Sequence, residues 1–156
     1  LGSAEDSNRM KEAYNAASPA TAQGFAPEIA KGLALYDGFD GQCGNQFLAD
    51  RDLPPARRYL ELASLLADDR LWVNSASSQC TQLFAVERAT LSGAFELEGD
   101  CGGRTPAMSA VNVYRSLLVD GTNTSLDDGL DKDERPVSTS TFPFLSPPDA
   151  AAGAKP

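Results

Sequence analysis

Apolar residues in this chain recur at helical spacing, and proline and glycine cut the segments that carry them. That pattern constrains the fold more than any other feature. Residues Ala4 to Ala17 are rich in helix formers, with Glu5 and Asp6 at the positive end of the helix dipole. Met10, Ala13, Tyr14 and Ala17 give this segment a narrow apolar stripe, and Ser18-Pro19 ends it. Thr21 caps a second segment, Ala22 to Tyr36, in which Phe25, Ile29, Leu33 and Tyr36 share a face; Asp37-Gly38 stops it.

Residues 37–53 hold three glycines and four aspartates and read as an irregular loop around a buried Phe39/Phe47 pair. Pro54-Pro55 opens a third helix, since proline suits the first turn. Its Leu62, Leu65 and Leu66, among other apolar residues, make the segment Ala56 to Leu66 the expected centre of the core. Leu71-Trp72-Val73 fits either a short strand or a continuation of that helix. A fourth helix is expected from Gln79 to Leu91 through Leu83, Phe84 and Val86, and a fifth from Thr105-Pro106 to Asp120-Gly121. The fold class that follows is mainly α: an irregular domain of about five helices with long Gly/Pro-rich connections and little or no sheet. Residues 1–145 read as one domain, and residues 146–156 as a flexible or surface-hugging tail.

No histidine occurs among the 156 residues. Ser-His-Asp and Cys-His catalysis, His-ligated zinc and copper, and His-ligated haem are thereby removed. No P-loop, GxGxxG or GxSxG motif is present. The formal net charge of −9 repels phosphate backbones, so a nucleic-acid partner is not expected, whereas a cationic ligand, a divalent metal or a basic partner suits it. No stretch is apolar for the ~18 residues that a membrane span needs, and the opening residues show no leader pattern.

Three cysteines, Cys43, Cys80 and Cys101, are spaced too widely for CxxC chemistry. Cys80 and Cys101 lie 21 residues apart and are expected to pair, which leaves Cys43 either buried or bonded to a segment outside this chain. The densest acidic run is Asp127, Asp128, Asp131, Asp133 and Glu134 around Gly129. Hard oxygen donors at a glycine turn are the ligands of Ca²⁺, so these five are the candidate metal site. Their spacing is not that of an EF-hand, and a solvated turn is the alternative.

Cys101-Gly102-Gly103-Arg104-Thr105, the helix after it, Asp128-Gly129-Leu130-Asp131-Lys132-Asp133, and Phe142-Pro143-Phe144-Leu145-Ser146-Pro147-Pro148 occur in that order. The order resembles the C-terminal end of the bacterial proteins grouped as domain of unknown function 4331. Where that family carries aspartates after its Gly-Arg pair, this chain has Met108, Ser109 and Asn112. The resemblance implies export from a bacterial cell, hence a secreted or periplasmic location, and no known activity.

These observations favour a non-catalytic exported module that binds or supports a protein partner within a larger protein or assembly. The reading from another class is a hydrolase that works through two carboxylates on a neutral substrate such as carbohydrate.

Overall fold

The computed structural model describes residues 4–93, 99–105, 108–130, 137–138, 140–141 and 145–146. Among these, the protein is mainly helical and contains no strand. The helices are α1 (Ala4–Asn15), α2 (Ala26–Asp37), α3 (Pro55–Arg58), α4 (Leu60–Ala67), α5 (Ala85–Ser92) and α6 (Ala110–Val119), with a 3₁₀ turn over Ala22–Phe25 that leads into α2.

The core forms around α4, as its leucine content predicts. Leu62 is 0% exposed, Ala63, Leu65 and Ala67 are buried beside it, and Leu66 is half-buried. Helix α2 packs along α4 and supplies Ala26, Ala30 and Leu33. Leu117 and Leu118 of α6 and Phe84 complete the cluster, with the Phe84 ring between Phe47 and Tyr114.

The single third helix expected from the sequence is two. Tyr59, at φ −106° and ψ 7°, interrupts the spiral between α3 and α4. Its side chain turns inward instead, and its hydroxyl donates to Asp37 at 2.6 Å. Asp37 is 0% exposed and accepts two further bonds, from the N–H groups of Gly44 and Gln46. One carboxylate thus ties the loop after α2 back onto that helix. The Gln46 amide continues the network by donating to the carbonyls of Leu33 and Leu118. Gly121, at φ +75°, lets the end of α6 meet this loop, because a Cβ there would stand 2.5 Å from the Asn45 carbonyl oxygen.

Other departures have local causes. The expected Phe39/Phe47 pair does not form: Phe39 is 71% exposed against Tyr36, while Phe47 is half-buried on Phe84. The fourth helix starts at Ala85 rather than Gln79, since residues 79–84 are held in another conformation by Asp100 and a disulfide. The fifth starts at Ala110, and Pro106 lies outside the described residues. Helix α1 buries no residue; Tyr14 anchors it, through its hydroxyl to the Ala67 carbonyl and edge-on to Phe25. Leu71-Trp72-Val73 is irregular. Apart from Ser146, the tail over 146–156 lies outside the described residues, as do Phe142, Pro143 and Phe144.

Candidate functional site

Of the five acids in the candidate metal site, Asp131, Asp133 and Glu134 lie outside the described residues. Asp127 and Asp128 are exposed, and both carboxylates accept from the Asn112 side-chain amide, at 3.3 and 3.1 Å. Each also accepts the backbone N–H two residues on, Gly129 for Asp127 and Leu130 for Asp128. The Leu130 N–H and the Asn112 amide hold the Asp128 carboxyl below the usual carboxylate range. Together with the Ser116 hydroxyl, which accepts the Leu126 N–H at 2.9 Å, these bonds fasten the loop to α6. No group of three or more potential metal ligands occurs among the described residues.

The buried polar chemistry lies elsewhere, in a cleft of about 570 Å³ bounded by α4, α5, α6 and the segment after α4. Two short segments are built to place charged side chains there. In the first, Cys80 and Cys101 are disulfide-bonded, as their spacing predicts, and Cys43 is free and exposed rather than buried. Beside the bridge, the Cys101 N–H donates to the Gln79 carbonyl at 2.7 Å. The buried Asp100 carboxylate accepts the N–H groups of Thr81, Gln82 and Gly102 and the Thr81 hydroxyl. Burial pushes its carboxyl up, but the donors from Thr81, Gly102 and Gln82 outweigh that and hold it low. Gly103 has φ +63°, and a Cβ there would sit 2.7 Å from the Gln82 carbonyl carbon, so only glycine allows the close approach.

The next residue is Arg104. Its guanidinium lies 6.0 Å over the Phe84 ring, with Nη1 2.5 Å from Glu87 Oε1. Glu87 projects from α5 into the cleft wall and is 4% exposed. The contact is an ion pair that lacks hydrogen-bond alignment, and among the described residues neither Glu87 oxygen accepts a hydrogen bond. A buried carboxylate held by an ion pair without aligned hydrogen bonds is costly, which sets Glu87 apart from the other acids described.

The second segment follows α4. Asp68 is buried and accepts two bonds from the Arg70 guanidinium, at 2.8 and 2.6 Å. Arg70 in turn lies 4.7 Å over the Trp72 ring. The side-chain bonds from Arg70 outweigh burial and bring the Asp68 carboxyl down to about 2. Across the cleft, burial and the nearby Tyr36 push the Tyr114 hydroxyl up.

Sequence reasoning missed Glu87 and Asp68, and no residue pattern marks them. Arg104 was legible as part of a Gly-Gly-Arg motif, yet its partner was not. Comparisons with family models, curated proteins and solved structures found no match for the chain.

Proposed function

We propose that this chain is a non-catalytic binding module of an exported bacterial protein, with the α4–α5–α6 cleft as its binding site. The observation that carries this reading is Glu87, a buried carboxylate in a cleft wall that, among the described residues, has the Arg104 ion pair but no aligned hydrogen bond on either oxygen. Sites that bind small groups are mostly apolar with a few placed polar groups, and this cleft has that character. The disulfide fits an oxidising compartment. Among the described residues no helix is long and apolar enough to cross a membrane. With the order of motifs in the C-terminal third, these features support a secreted or periplasmic location and a place among the domain of unknown function 4331 proteins. Leu35, Tyr36 and Phe39 are exposed, with the Tyr36 and Phe39 rings in contact, and Cys43 is free and exposed, which supports a protein partner within an assembly.

The hydrolase reading fits less well. General acid catalysis needs a carboxyl held up towards neutral pH. In this cleft Arg70 holds the Asp68 carboxyl down to about 2. A fragment library screened by amide chemical-shift mapping tests the binding role. Shifts should converge on Leu66, Glu87 and Tyr114. Scattered shifts, or turnover of a glycoside panel, would overturn it.

A further inference from the structure

The binding role proposed above leaves the ligand class open, and Glu87 narrows it. A carboxylate only accepts hydrogen bonds, so whatever completes Glu87 must donate them. Both of its oxygens are covered, and among the described residues the nearest cation is Arg104, whose side chain remains 35% exposed. That guanidinium can swing towards solvent and be replaced by another cation.

Three features favour a cation over a neutral donor. A charge-assisted bond to a buried carboxylate is about twice as strong as a neutral one. The net charge of −9 draws cations towards the protein, and in the cleft itself Asp68, Asp69 and Glu87 balance Arg70, Arg104 and Arg115. Tyr36 and Tyr114 line the same cleft, and aromatic faces attract cations. Leu71 and Val111, exposed on the cleft rim, offer apolar surface to a hydrocarbon stem.

We propose that the cleft binds an aliphatic primary amine, with its ammonium group donating to Glu87 in place of Arg104 and its stem lying against Leu71 and Val111. A free alkylamine and a lysine side chain share this chemistry.

Chemical-shift titration of the intact chain with n-hexylamine, hexanol and hexanoate tests the idea. Hexylamine should bind about tenfold more tightly than the other two, the ratio that one charge-assisted bond supplies. Glu87→Gln should lose about that factor. Arg104→Gln, which leaves the carboxylate unpaired, should bind hexylamine more tightly than wild type. Nα-acetyl-lysine methylamide separates the sources: affinity equal to that of hexylamine marks a partner's lysine, and weaker affinity a free amine. A preference for hexanoate, or weaker hexylamine binding by Arg104→Gln, overturns the amine while leaving the cleft a binding site. No response at Glu87 and Tyr114 to any of the three overturns the binding role as well. Thermal melts establish that each variant folds, and the wild-type preference decides the matter without them.

Discussion

Single carboxylates do much of the organising in this protein, and they do it in two ways. Asp37 is a structural acceptor: it is fully buried and takes one hydroxyl and two backbone N–H bonds. Removing it leaves three donors unsatisfied, each at about 1–3 kcal/mol. Asp37→Ala should therefore cost about 3 kcal/mol or more in urea denaturation, and Tyr59→Phe, which deletes one donor, about 1–2 kcal/mol. A cost for Asp37→Ala no larger than that for Tyr59→Phe would show that the loop does not depend on this carboxylate. Asp68 is an electrostatic acceptor, and its effect depends on pH. Its carboxyl titrates at about 2 when folded, because Arg70 donates to it. In the unfolded chain it takes up its proton near pH ~4. The unfolded state therefore binds the proton first as pH falls, so the Asp68 contribution is complete above pH ~4 and fades towards pH 2. The stability gap between wild type and Asp68→Asn should shrink over that interval. A gap independent of pH would refute the assignment.

At the scale of elements, helical spacing made most helices legible, and their interruptions were not legible. The leucines of α4 share one face at helical spacing, which is enough to place that helix at the centre. Leu62→Ala should accordingly cost about 2–5 kcal/mol, read from denaturant midpoints. A cost under about 1 kcal/mol would move the centre to another helix. Tyr59 carries no local signal for a break, because its reason for leaving the spiral is Asp37, 22 residues earlier. Residues 79–84 have an acceptable helical pattern, but Asp100 claims the Thr81 and Gln82 N–H groups, and Phe84 is driven to φ +68°. Propensity lost to long-range bonds in both places. The cleft was hidden for the same reason. Nothing local separates Glu87, buried behind Arg104, from Glu61, which is exposed and only 3.5 Å from Arg88.

For the whole molecule, the Cys80–Cys101 bridge links stability to the proposed site. It closes a loop that contains all of α5, and therefore Glu87, and it clamps the segment that presents Arg104. A loop of this length is worth about 3 kcal/mol on the chain-entropy model. For a domain near 150 residues, each kcal/mol moves Tm by about 2–4 °C, so Cys80→Ser/Cys101→Ser should melt about 6–12 °C lower. The loss should also be uneven. Asp100, Gly103 and the Gln79 carbonyl still favour the same turn without the bridge, so the segment should loosen rather than unfold. Hydrogen exchange should then accelerate at the N–H groups of Thr81 and Cys101 more than at Ala63, whose N–H bonds to Tyr59 in the core. Non-reducing peptide mapping of the wild type should find Cys80 linked to Cys101 and Cys43 free to alkylate. An unchanged Tm in the double variant, with uniform exchange, would mean that the bridge constrains neither the unfolded chain nor the Arg104 segment.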